Sequence, residues 1–155
     1  MTRFEVTTGI AASPQRVFDV SRSVEVHTTS MAGAAERVVG GVTSGRLGLG
    51  DTVTWQARHF GLRWRMTSRI SAVEPPGYFV DEQVAGPFKR WHHAHYFEPD
   101  GRGGTVMRDV VDFAAPFGLL GVVAERLVLD RYMPRLIGIR NDHVKAVAEA
   151  GAQLE

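Results

Sequence analysis

Residues 86–113, GPFKRWHHAHYFEPDGRGGTVMRDVVDF, read as two β-strands and the turn that joins them. Trp91, His93, His95 and Phe97 fall on one face of a period-two pattern, and Met107, Asp109, Val111 and Phe113 repeat it after a turn over Asp100 to Gly104. Two imidazoles and a carboxylate therefore share a largely apolar face. A turn centred near Gly101 sets His93 across from Asp109 and His95 across from Met107. A His–Asp pair on the inner face of a sheet is the sharpest chemical feature of the chain.

The same face can be followed upstream. Val53, Trp55, Ala57 and His59 alternate in one strand, and a tight turn at Phe60-Gly61 pairs them with Leu62, Trp64, Met66, Ser68 and Ile70. The turn Glu74-Pro75-Pro76-Gly77 leads to Tyr78, Val80, Glu82 and Val84, and a turn at Ala85-Gly86 returns the chain to Trp91. The hairpins agree on one interior, with Arg58, Arg63, Arg65, Arg69, Asp81, Gln83, Arg90, His92, Arg108 and Asp112 on the solvated side. A bulge in any hairpin would invert the faces beyond it.

Before this meander, Phe4, Val6, Thr8 and Ile10 mark a first strand with one buried face. Ser13-Pro14 opens a short helix that ends near Ser21, and Ser23 caps a second through His27. A short strand, ERVV from Glu36, runs into the glycine-rich connection GGVTSGRLGLGD. No Lys-Ser/Thr closes that connection and a strand follows it, so it reads as a flexible loop at a pocket mouth, not a phosphate loop. After Gly118 the period becomes helical. Leu120, Val123, Leu127, Met133, Leu136, Ile137, Val144 and Val147 form the stripe of a long helix that stops before Gly151. Pro134 predicts a kink or break near Asp130 to Met133.

With 155 residues the chain fits one domain over 1–150 and a tail over 151–155. Lys and Arg number 18 against 17 Asp and Glu, so no global field favours nucleic acid or an anionic membrane. The lack of cysteine excludes disulfides and thiol catalysis. No apolar run nears the roughly 20 residues that span a bilayer, and the N-terminus lacks an apolar leader, so the expected location is cytoplasmic, with no membrane insertion.

The order of strand, two short helices, antiparallel meander and long C-terminal helix resembles the helix-grip fold of the SRPBCC superfamily. That group holds START lipid-transfer domains, birch-pollen-allergen-like proteins and polyketide cyclases. The residues that carry the likeness are Ser13-Pro14 through Val17-Phe18, His27 with Ser30-Met31 and Glu36-Arg37, Thr43 to Gly61, Phe79 to Glu98, and MRDVVDF from Met107. The chain is similar to a bacterial ligand-binding subgroup over almost its whole length. The resemblance implies an α+β fold, with a seven-stranded antiparallel sheet wrapped around the last helix and two short helices between the first two strands. It also implies a cavity for a small apolar or amphipathic molecule, and it supplies neither an activity nor catalytic residues.

The residues expected to meet such a ligand are His27, Trp55, His59, Trp64, Met66, Tyr78, Glu82, Trp91, His93, His95, Phe97, Met107, Asp109 and Phe113. Buried polar groups need partners, and imidazoles at the end of an apolar pocket suit a carbonyl, carboxylate or phenol. Three functions follow. The first is a carrier or sensor of a small hydrophobic or amphipathic molecule. The second is a cyclase- or dehydratase-like lyase or isomerase, with His93 and Asp109 as a catalytic pair that removes a proton alpha to a carbonyl. The third is a protein-binding module of co-chaperone type. Metal binding by His93 and His95, with Asp109 or His27, lacks a diagnostic spacing, and no metal or cofactor is expected. The apolar segment Pro116 to Val123 roofs the cavity or forms a partner or homodimer contact.

Overall fold

Phe4, Val6, Thr8 and Ile10 turn inward along β1, Thr2–Ile10, in the computed structural model of the chain, which describes residues 1–152. Ser13 caps α1, Pro14–Ser21, by accepting from the Arg16 N–H, and Pro14 takes the first helical position, where no donor is needed. Ser23 caps α2, Val24–Ser30, in the same way, and this helix runs three residues past His27. A 3₁₀ turn over Ala32–Ala34 leads to β2, Arg37–Gly41. The remaining strands are β3 (Thr52–His59), β4 (Leu62–Glu74), β5 (Tyr78–Ala85), β6 (Arg90–Pro99) and β7 (Thr105–Ala114).

Among the described residues these form one seven-stranded antiparallel sheet in the order β1-β7-β6-β5-β4-β3-β2. The first two strands thus lie at opposite edges, with the two short helices between them in sequence. Phe60 and Gly61, both at positive φ, make the tight turn of the β3–β4 hairpin, and Trp55 pairs with Met66 as alternation requires. The glycine-rich connection is not loose. Gly45 donates its N–H to the Glu25 carboxylate and accepts from the Val24 N–H, while Leu47 N–H bonds the Arg22 carbonyl, so the segment is stitched to α1 and α2.

The C-terminal helix begins as α3, Gly118–Ala124, passes through a π-helical turn at Glu125–Leu129 and continues as α4, Asp130–Ala152. The irregularity therefore precedes the expected position at Asp130 to Met133, and Pro134 lies within α4. Glu125 anchors the π turn, since its carboxylate accepts from the Ala115 N–H and the Thr2 hydroxyl. The helix also continues through Gly151, and residues 153–155 of the expected tail lie outside the described ones. Arg16 reaches its last turns and donates to the carbonyls of Ala148 and Val147 at 2.7 and 3.2 Å, which ties α1 to the negative end of the helix dipole.

The buried face of α4 is Met133, Ile137, Arg140, Asn141, Val144 and Ala148. Leu120, Val123 and Leu127, assigned to the buried stripe by periodicity, are exposed at 78, 53 and 72 %. Gly121 and Glu125 take the inward positions there, because the π turn shifts the helix face between α3 and α4. At the other end α1 packs Val17 and Phe18 on the sheet, where the Phe18 ring meets Phe79 and Phe97 edge-on at 6.0 and 5.7 Å. One end of the space between sheet and helix is filled by this cluster, and the rest holds a cavity.

Candidate functional site

The cavity has a volume of about 910 Å³ and runs between the sheet's inner face and the C-terminal helix. Trp55, Trp64, Met66, Ile70, Phe79 and Trp91 line it from the strands, and Leu129, Tyr132, Met133, Leu136 and Ile137 from the helix. At the β2–β3 side His27 lies over the Trp55 ring at 4.3 Å and contacts the Glu36 carboxylate at 2.8 Å. His59 Nδ1 meets the Tyr132 hydroxyl at 2.6 Å. Burial holds the His59 imidazole below its ordinary pKa and pushes the Tyr132 phenol up.

The polar end is built from β5, β6, β7 and α4. Asp109 on β7 is fully buried, and its Oδ1 accepts from His93 Nε2 at 2.7 Å while its Oδ2 accepts from Asn141 Nδ2 at 2.7 Å. Arg140 Nη1 lies 3.4 Å from the same Oδ1, and the guanidinium also donates to Asn141 Oδ1 and to the Ser21 carbonyl. His95 Nε2 donates to Asp81 Oδ2 at 2.7 Å. Its Nδ1 lies 2.9 Å from Asp109 Oδ1 but off the line of a hydrogen bond, so that contact is electrostatic. The two imidazoles stack at 3.8 Å.

Burial alone would raise both carboxyls. The His95 hydrogen bond, with the charges of the two histidines and Arg140, outweighs it and holds Asp81 at about 2. Asp109 is held well below the carboxylate range by the imidazoles of His93 and His95 and by Arg140, again against burial. His93 is lowered, first by burial and then by the neighbouring His95. Because the ionised Asp109 only accepts, His93 Nε2 carries the proton and Nδ1 is left as an acceptor.

Of the residues expected at a ligand, His27, Trp55, His59, Trp64, Met66, Trp91, His93 and His95 line the cavity. Phe97, Met107 and Phe113 are buried in the packing beside it, and Asp109 lies behind the two imidazoles. Tyr78 and Glu82 do not face it. In β4 an irregularity at Ser71 lets Ile70 pair with Asp81 and Ala72 with Val80, so the parity of β5 is reversed. Tyr78 stacks on Tyr96 across the outer face, Glu82 lies near His92, and Asp81, assigned to solvent by alternation, enters the cavity. Gln83 also turns inward and clasps the backbone of Phe88.

The His93–Asp109 contact forms, but diagonally. His95 is the residue directly opposite Asp109, and Phe97 is opposite Met107. The five-residue turn Asp100–Gly104 centres on Arg102, since Asp100 Oδ1 accepts from the N–H groups of Arg102 and Gly104, and this moves the register by two and keeps every face. Alternation also misses Arg140 and Asn141. Their signal is an Arg-Asn pair on the helix face that Ile137 and Val144 define, where charge is costly unless paired.

Among the described residues no helix is long and apolar enough to cross a membrane. No curated protein matches the chain. Solved structures share its fold. The protein TTHA0849 of Thermus thermophilus aligns with a TM-score of 0.79 at 18 % identity, over 97 % of this chain and 99 % of that one. Protein Ms6760 of Mycobacterium smegmatis gives 0.70 at 19 % identity, over 96 % and 92 %. The ginseng major latex-like protein 151 of Panax ginseng gives 0.68 at 13 % identity, over 95 % and 97 %. These likenesses establish the helix-grip fold. The model of the family described as polyketide cyclase / dehydrase and lipid transport matches residues 1–149, and to that family, within the SRPBCC superfamily, this chain belongs.

Proposed function

We propose that the protein is a carrier or sensor that takes one small apolar or amphipathic organic molecule into the cavity, with the molecule's polar group at Asp81, His93 and His95. The observation that carries this reading is a space of about 910 Å³ walled by aromatic and aliphatic side chains and polar at one end. A molecule of drug size fills such a volume, and burial of its apolar surface drives its entry. Trp55, Trp64 and Trp91 all line the cavity, so occupancy is readable as a change in intrinsic fluorescence.

The test is native mass spectrometry of the purified protein, followed by titration with 1-anilinonaphthalene-8-sulfonate. Saturable binding with tryptophan quenching is expected, as is at least a tenfold loss in Ile137→Trp, which fills the space. Weak binding that Ile137→Trp does not change would overturn the reading. The cyclase-like reading is favoured by one observation, His93 held by Asp109 with Nδ1 left as acceptor. It differs in outcome, because His93→Gln would then abolish turnover of a bound carbonyl compound and leave its binding within about threefold.

A further inference from the structure

We propose that Asp81, His93 and His95 form a binding site for one divalent first-row metal ion of the zinc class at the polar end of the cavity. One carboxylate oxygen and one nitrogen from each imidazole lie within 4.8 Å of one another, and all three residues face the cavity. Ligands about 2.0–2.1 Å from a tetrahedral ion are roughly 3.3 Å apart. His93 Nδ1 and Asp81 Oδ2 are 3.7 Å apart, too far for a hydrogen bond and close to that spacing. Both atoms are acceptors, so they converge without a hydrogen bond between them, and Asp81 Oδ2 takes its proton donor from His95. His95 Nε2, at 2.7 Å from the same oxygen, is the third ligand atom. The ion takes the place of the proton on His95 Nε2, and the ring stays a neutral imidazole by carrying its one proton on Nδ1, which faces Asp109 Oδ1 at 2.9 Å.

What lies behind these atoms is the stronger observation. A ligating histidine normally has its other ring nitrogen held by a carboxylate or carbonyl, which sets the tautomer and aims the lone pair. Here Asp109 holds His93 Nε2 by a hydrogen bond at 2.7 Å, and the same oxygen lies 2.9 Å from His95 Nδ1, where a small turn of the ring would make the second such bond. That leaves Nδ1 of one ring and Nε2 of the other directed to Asp81. Asp109 is itself fixed by Asn141 and Arg140, and the guanidinium balances its charge. Arg140 is tied to Asp109, Asn141 and the Ser21 carbonyl. Asp81 is therefore the negative ligand, and two nitrogens with one oxygen suit zinc or iron(II) better than calcium or magnesium. Three protein ligands leave a coordination position open toward the cavity, where the polar group of an organic molecule would sit.

The test uses the whole chain after dialysis against a chelator, titrated with Zn²⁺ and with Co²⁺ as a coloured substitute. Expected are one ion per chain, visible absorption of low-symmetry Co²⁺, and at least about a 100-fold loss of affinity in Asp81→Asn, while His143→Gln binds as the parent does. Nitrogen-15 NMR of the imidazoles in the unaltered protein gives a readout that needs no variant, since Zn²⁺ should shift His93 Nδ1 and His95 Nε2 and leave His143 unchanged. Absence of Co²⁺ and Zn²⁺ uptake at hundredfold excess, or uptake that leaves both imidazoles unshifted, would overturn the assignment. Neither result bears on the fluorescence titration, so failure of the metal site and failure of the cavity reading are separable.

Discussion

Asp109 is the residue on which the polar end depends. It accepts from an imidazole of β6 and an amide of α4 and balances a guanidinium, so strand and helix meet through one carboxylate. Asp109→Asn keeps the volume but turns an amide donor toward groups that are themselves donors. Removal of one partner from a buried charge network costs about 3–5 kcal/mol, and urea unfolding should show a loss of that size. Replacement of the exposed Asp142 should leave the midpoint unchanged.

At the scale of elements, the end of α4 offers a sharper test. Gly151 lies inside the helix, where alanine is normally favoured by about 1 kcal/mol. A Cβ at this position would collide with the Arg16 guanidinium, which donates to the carbonyls of Ala148 and Val147. Gly151→Ala should therefore fail to stabilise the protein, whereas the same change in an Arg16→Ala background should recover the helix preference, as thermal unfolding of the four proteins would show. Much of this level was legible in the sequence. The caps at Ser13 and Ser23, the tight turn at Phe60-Gly61 and the shared face of His93, His95 and Asp109 follow from local pattern. The inward turn of Asp81 does not, because a single unpaired residue at Ser71 reverses a strand without any mark in its own alternation. The exposed faces of Leu120, Val123 and Leu127 escape for a related reason, since a π turn shifts helix phase where the apolar period continues unbroken.

For the molecule as a whole, stability and cavity are separated in space. Phe18→Ala, in the packed end under α1, should cost about 3–5 kcal/mol by urea titration. Leu119→Ser, on α3 beside the cavity and 87 % exposed, should change stability by less than about 0.5 kcal/mol. The volume of the cavity was not readable from strand parity, because it depends on how far packing at one end holds the helix from the sheet at the other. The strand order has a temporal consequence as well. β1 leaves the ribosome first, yet its partner β7 begins at Thr105, so Phe4, Val6 and Ile10 wait with their edge unpaired while about a hundred residues are made. Of the seven strands the first is thus the one that waits longest for its partner, although in the finished protein it is among the most regularly paired.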